Sequence, residues 1–183
     1  VVISSITGSK FYHGRSLSGS REYFKSKNKE YVQIGIDNFK DKEELVFFPE
    51  DAKLIQGSSI EVYNQLPDES QHFILIDGNH SFPYVIADFF VFKNKVKMGG
   101  YICFHDASPQ TQGESWQRMG DVNDPDMSIS VMKALESIGM LKDAGYKYIG
   151  APMWKGAFGF ELIFHEWDEN DQGGGVIIYK RII

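Results

Sequence analysis

Apolar positions along the chain fall into two rhythms. Short runs rich in Val, Ile and Phe occupy residues 1–6, 30–37, 52–56, 72–76, 101–105 and 146–149, and these predict strands. Between them lie stretches that predict helices over 15–27, 41–48, 58–66, 82–96 and 127–144, the last with a good amphipathic pattern. The punctuation agrees. Ser58 or Ser59 stands where a helix N-cap is wanted, Pro67 lies just beyond the end of that helix, Pro49 stops the one before it, and Pro83 sits in the first turn of the next. Phe and Val cover most faces of the 82–96 segment, so that helix is expected to be well buried. Gly99 and Gly100 are expected to turn the chain into the fifth strand. Residues 158–165 and 176–181 read as a closing pair, joined by an acidic stretch and three glycines. The longest irregular segment, 107–126, is rich in Gln, Ser, Gly and Asp. Loops of that length in compact domains tend to be functional or disordered.

Strand–helix alternation through the first five strands implies an α/β fold with a parallel sheet and helices on both faces. Ligands in such sheets bind outside the carboxyl ends of the strands. The residues that follow each strand are therefore the ones to inspect for chemistry.

Length and composition narrow the partners. A chain of 183 residues makes one domain with a real core, here taken as 1–183. The net charge of −6, with lysines scattered rather than clustered, disfavours nucleic acid as the main partner. Lacking any apolar run near the roughly 20 residues that span a bilayer, the chain is expected to have no membrane segment. Val1-Val2-Ile3 begins as a strand without a basic leader, so no signal peptide is expected, although residues before Val1 in the natural chain are left open. The single cysteine, Cys103, forms no intrachain disulfide and suits a reducing, cytoplasmic setting; inside an apolar strand it reads as a small core residue. With 14% aromatic residues, a homo-oligomer that buries some of them is a ready expectation.

Two sets of residues carry candidate chemistry. Asp37 ends the second strand, where a carboxylate can accept hydrogen bonds from both hydroxyls of a ribose; a turn or cap role is the alternative. Gly8 and Gly14 flank the first loop and Ser16 opens the helix after it, a place where backbone can approach a ligand closely. Neither the G-x-G-x-x-G dinucleotide fingerprint nor the Walker A pattern is present, which argues against a nicotinamide dehydrogenase and a P-loop enzyme. The stronger set is Asp77-Gly-Asn-His80 with His105-Asp106, at the ends of two strands expected to be neighbours. Two carboxylates and one or two imidazoles suit a divalent cation: oxygen ligands favour Mg²⁺, and imidazole tilts the choice toward Mn²⁺, Fe²⁺ or Zn²⁺. His80, whose ordinary pKa is about 6.5, is also a sensible general base. The alternatives are a simple Asp-Gly turn and a histidine bonded to backbone. His13, His72 and His165 read as surface residues. Trp116, in the long loop, is a candidate substrate shield, and packing is expected for Trp154 and Trp167.

Taken together, these residues resemble class I S-adenosylmethionine-dependent methyltransferases, in the branch with an IDGxH…GG…HD core. Here that core reads Ile76-Asp-Gly-Asn-His-Ser-Phe82, then Val85, Asp88, Met98-Gly-Gly-Tyr101 and His105-Asp106. Upstream, Gly14-Arg-Ser16, Ile34-Gly-Ile-Asp37 and Gln56-Gly-Ser-Ser59 look like the family's glycine loop, the acidic end of its second strand and the turn after its third.

The resemblance implies a Rossmann-like three-layer sandwich with a mostly parallel seven-stranded sheet and an antiparallel C-terminal strand. It also implies S-adenosyl-L-methionine as methyl donor. Asp37 would hold the ribose and Ser58 would lie near the adenine, with Gly8, Gly14, Ser16, Asn38, Gly57 and Asp77 lining the rest of that site. By similarity to metal-dependent sugar and catechol O-methyltransferases, Asp77, His105 and Asp106 would hold Mg²⁺ or another divalent cation, and His80 would be the base. The activity expected is O-methylation of a small hydroxylated acceptor. Two rivals stand beside it: a metal-dependent hydroxylase or hydrolase using the same Asp/His cluster, and a methyltransferase-like module without catalysis, which the unusual Gly8–Gly14 loop would favour.

Overall fold

The computed structural model describes residues 2–3, 22–23, 25–28, 30–37, 52–107, 131–142, 156–166 and 175–183. Its strands are β1 (Val2–Ile3), β2 (Ile34–Asp37), β3 (Lys53–Gln56), β4 (Gln71–Ile76), β5 (Val96–His105), β6 (Phe160–Glu166) and β7 (Val176–Arg181). Three described helices are α1 (Ser59–Val62), α2 (Phe82–Phe92) and α3 (Val131–Ser137). Residues 22, 23, 25 and 26 are helical, within the span predicted for the first helix. The helix expected over 41–48, the strand over 146–149 and most of the 107–126 segment lie outside the described residues.

Five strands pair in the order β1-β4-β5-β7-β6, and β2 and β3 form a separate parallel pair that lies beside β1. β1, β4 and β5 run parallel, while β7 is antiparallel to both β5 and β6. The chain thus builds outward from β1 in one direction, returns to its other side at β4, and closes with a hairpin. That return is a switch point; the carboxyl ends of β2 and β3 lie together, and so do those of β4 and β5.

The core explains why these segments hold together. Ile74, Ile102, Phe104, Ile177 and Tyr179 come from neighbouring strands and are fully buried. Val85, Phe89 and Phe92 cover them from α2, one turn apart on one face, and Val131, Met132, Ala134 and Leu135 of α3, which packs on α2, join the same core. Phe89 meets Phe104 and Phe160 with ring centroids 6.3 and 5.8 Å apart. Cys103 is buried as expected, and desolvation pushes its thiol up to about 12, which makes it unreactive.

Two expectations need correction. The helix predicted to 96 ends at Phe92; Lys93–Lys95 form a tighter turn, and buried Val96 already begins β5. Tyr84 and Phe90 of that helix are exposed, so only one face is buried. Gly99 and Gly100 do not precede the strand but lie within it, at a register shift opposite Gln71–Phe73. Gly99 has φ +76°, and a Cβ on Gly100 would meet the carbonyl oxygens of His72 and Lys97 at 2.9 Å, so both positions need glycine.

Candidate functional site

β4 and β5 deliver four polar side chains to one place because they run parallel with Ile76 opposite Phe104. One residue beyond these partners, Asp77 follows β4 and His105 ends β5. Asp106 then turns the chain with φ +53°, a left-handed conformation that Asp tolerates better than most residues. After Asp77, Asn79 Oδ1 accepts a 2.9 Å hydrogen bond from the Ser81 amide. Ser81 begins α2, its carbonyl accepting from the amides of Tyr84 and Val85. This short turn swings His80 back toward the two strand ends.

The side chains meet closely. His80 Nδ1 lies 2.9 Å from Asp106 Oδ2, and His80 Nε2 lies 3.6 Å from Asp77 Oδ1. His105 Nδ1 is 3.3 Å from Asp77 Oδ1 and 3.0 Å from Asp106 Oδ1. Despite that proximity, neither His105 Nδ1 nor His80 Nε2 has an aligned hydrogen-bond partner, and both atoms are buried. His105 is the most open of the four, its side chain 42% exposed.

Mutual neutralisation governs the charges. Burial opposes ionisation of Asp77, but the imidazoles of His105 and His80 outweigh it and hold the carboxyl well below the usual range. Asp106 is lowered in the same way against the same penalty. For His80, burial favours the neutral ring, yet Asp106 and then Asp77 raise it to about 9. His105 is raised to about 10, chiefly by Asp106 and then Asp77. Each carboxylate thus favours the protonated form of the imidazoles beside it, and each imidazole favours the ionised form of the carboxylates.

A divalent cation fits these residues. Asp77, His80 and His105 each offer a ligand atom, all within 4.8 Å of one another. Two buried ring nitrogens without aligned partners, facing carboxylate oxygens, are what a cation would satisfy.

The β2–β3 edge is built differently. Asp37 is buried at the end of β2, opposite Gln56, and its carbonyl accepts from the Gly57 amide at 2.8 Å. Gly57 has φ +144°, and a Cβ there would strike Val62 Cγ1 at 2.4 Å, so the turn after β3 requires glycine. Ser58 caps α1: Glu61 accepts from its amide at 3.2 Å and from its hydroxyl at 2.6 Å. Those hydrogen bonds lower the Glu61 carboxyl. The structure therefore brings Asp37, Gly57 and Ser58 to one edge. The other residues expected there, Gly8, Gly14, Ser16 and Asn38, lie outside the described residues, as do His13, Trp116, Trp154 and Trp167.

Two residues take positions that the sequence reading did not give them. Asp88 lies within the buried face of α2, takes a short hydrogen bond from the Ser59 hydroxyl and feels the charge of His80. Burial raises its carboxyl to about 6. It ties the turn after β3 to the helix that follows the site; its position in the Val85–Phe89–Phe92 stripe was the available signal. His165, expected at the surface, is buried instead, and its Nε2 lies 2.9 Å from the carbonyl oxygen of Ala107. The Ala107 amide donates to Gly175 at 3.1 Å, so the hairpin grips the residue after Asp106 from both sides. His72 is exposed, as expected.

Fold and site together define an open α/β protein with its chemistry on the carboxyl edge of a switched sheet. The profile of the methyltransferase-domain family matches residues 11–107, more than half of the chain, and the chain belongs to that family. It is a class I S-adenosylmethionine-dependent methyltransferase. No curated protein matches the chain. Among solved structures, it is similar to a protein from Corynebacterium glutamicum at 12% identity and TM-score 0.58, covering 100% of this chain and 72% of that one. A SAM-dependent methyltransferase from Archaeoglobus fulgidus follows at 14% identity and TM-score 0.51, covering 98% of this chain and 85% of that one. MycE, a methyltransferase of the mycinamycin biosynthetic pathway solved with Mg, SAH and mycinamycin VI, aligns at 17% identity and TM-score 0.55. That alignment covers 98% of this chain but 44% of MycE, so this chain spans under half of that protein. At such identities the likeness concerns the fold. Among the described residues no helix is long and apolar enough to cross a membrane.

Proposed function

We propose that this chain O-methylates a small hydroxylated molecule with the help of a divalent cation. The observation that carries the reading is the Asp77–His80–His105–Asp106 cluster, linked through Asp88 and Ser59 to the turn after β3. In this reading residues 1–183 form one Rossmann-like, three-layer domain with a seven-stranded sheet, β2 and β3 continuing the sheet beyond β1.

Asp37 accepts the ribose hydroxyls of S-adenosylmethionine, and Gly57 and Ser58 border its adenine. Gly8, Gly14, Ser16 and Asn38 complete that pocket, and Asp77 meets it from the cation side. Asp77, His105 and Asp106 hold the cation, which when bound supplies a positive charge that lowers the pKa of the acceptor hydroxyl. His80 is the base. Asp106 holds the ring through Nδ1 at 2.9 Å, which leaves Nε2, 3.6 Å from Asp77 Oδ1, to take the proton. The hydroxyl proton passes to Nε2, the oxygen forms its bond to the sulfonium methyl as the S–CH₃ bond breaks, and neutral S-adenosylhomocysteine leaves. Orientation of the two reactants along one sheet edge supplies much of the rate.

The test is direct. The purified chain should bind S-adenosylmethionine by calorimetry and release S-adenosylhomocysteine from a panel of catechols and sugars in the presence of a divalent cation. Binding of the donor without turnover on any acceptor, with or without cation, would favour the non-catalytic module. Cation-dependent turnover without the donor would favour a hydroxylase or hydrolase.

A further inference from the structure

We propose that the cation at this cluster is a transition metal ligated through the imidazole of His105, rather than Mg²⁺. The inference rests on the cluster being a cation site, as in the reading above, and adds which ion it selects.

Distance is the first argument. Two donors each about 2.1 Å from one ion stand about 3.0 Å apart at a right angle and about 3.4 Å apart at the tetrahedral angle. His105 Nδ1 stands 3.3 Å from Asp77 Oδ1 and 3.0 Å from Asp106 Oδ1, within those limits for both carboxylates at once. A histidine that merely paired with one acid would aim its N–H along one axis. Here the nitrogen lies between two oxygens and aligns with neither.

Donor chemistry is the second. Mg²⁺ takes oxygen ligands and keeps several of its waters, whereas imidazole nitrogen suits Mn²⁺, Fe²⁺, Co²⁺ and Zn²⁺. One directly bound nitrogen, that of His105, already weakens the case for Mg²⁺.

The third argument is the scaffolding around the donors. Metal ligands work when neighbouring groups hold them in place. The Ala107 backbone, which follows Asp106 and its left-handed turn, is held by His165 and by Gly175. His105 itself pairs with Val176 of β7. The donor nitrogen is thus mounted on a strand paired on both sides, which suits a fixed coordination geometry.

The experiment uses the full chain, stripped of metal and without methyl donor. Calorimetry with Mn²⁺, Co²⁺, Zn²⁺ and Mg²⁺ should show the transition ions binding roughly tenfold or more tighter than Mg²⁺. Pulsed electron paramagnetic resonance of the Mn²⁺ complex should show nitrogen coupling from a directly bound imidazole. His105→Asp, which trades nitrogen for oxygen, should weaken Co²⁺ and Zn²⁺, retain Mg²⁺ and lose that coupling. Mg²⁺ binding as tightly as Mn²⁺, or no nitrogen coupling in the unaltered protein, overturns the proposal without needing any variant to fold. Coupling that survives His105→Asp but vanishes in His80→Ala overturns the assignment to His105. Methyl transfer is scored separately: turnover that prefers Mg²⁺ would sink this inference and leave the proposed function standing.

Discussion

The two halves of the carboxyl edge solve opposite problems. At β2 and β3 the polar groups are settled locally: Gly57 bonds to Asp37, and Ser58 closes a capping box with Glu61. What this half offers is shape, a glycine turn beside a buried carboxylate. At β4 and β5, by contrast, two acids and two histidines crowd together and two ring nitrogens remain unaligned with any acceptor. That half gathers its charged groups at one point rather than settling them locally. On the proposed function the contrast separates donor recognition from chemistry, and the Ser59–Asp88 bond is a described link between the two sides.

Breaking the chemical half alone should give the largest effect. His80→Ala is expected to lower kcat by roughly 10²–10⁴-fold while calorimetry finds donor affinity unchanged. The core under both halves comes next. Phe89→Ala should cost about 3–5 kcal/mol in urea unfolding, and donor and cation affinity should weaken together where the fold is marginal. Asp37→Ala should be the mirror of His80→Ala: S-adenosylmethionine binds roughly 10–100-fold more weakly, with kcat at saturation nearly kept. An equal fall in kcat would show that the halves are not separable. His165→Phe removes the partner of the Ala107 carbonyl and should weaken cation binding by roughly tenfold, leaving donor affinity alone. The smallest step is in pH. Because His105 is raised to about 10, it must shed a proton to bind a cation, so affinity should rise with pH. The expected slope is about tenfold per pH unit for each proton displaced, read by calorimetry in buffers of different ionisation enthalpy. The chelated protein should behave the other way. Its raised imidazoles contribute stability in full below about pH 6.5, and thermal unfolding should show that contribution lost as pH climbs through about 9 and about 10.

Much of this arrangement was legible in the sequence. The four charged residues stand at strand ends because β4 and β5 are short apolar runs with abrupt polar exits, and that pattern is local. The closing hairpin and the helix start at Ser81–Pro83 were legible for the same reason. Long-range register was not. Gly99-Gly100 reads as a turn, and only pairing with Gln71–Phe73 reveals a shift inside a strand. His165 was misread for a related cause. β6 buries Phe160 and Leu162 in strict alternation, but a register shift between Leu162 and Phe164 changes the phase, leaving Phe164 exposed and His165 buried. Asp88 was visible only as a member of a motif, since a carboxylate in an apolar helix face says nothing of the serine that meets it.

The grip of β7 on β5 also sets a timetable for synthesis. Translation delivers β4, α2 and β5 well before residues 175–181 emerge, and until then β5 has no partner on its second side. A nascent chain halted there carries an open strand edge next to an unfinished acid–histidine cluster, the kind of surface that chaperones cover. The acid–histidine cluster therefore gains its support from β7 only after residues 176–181 have emerged.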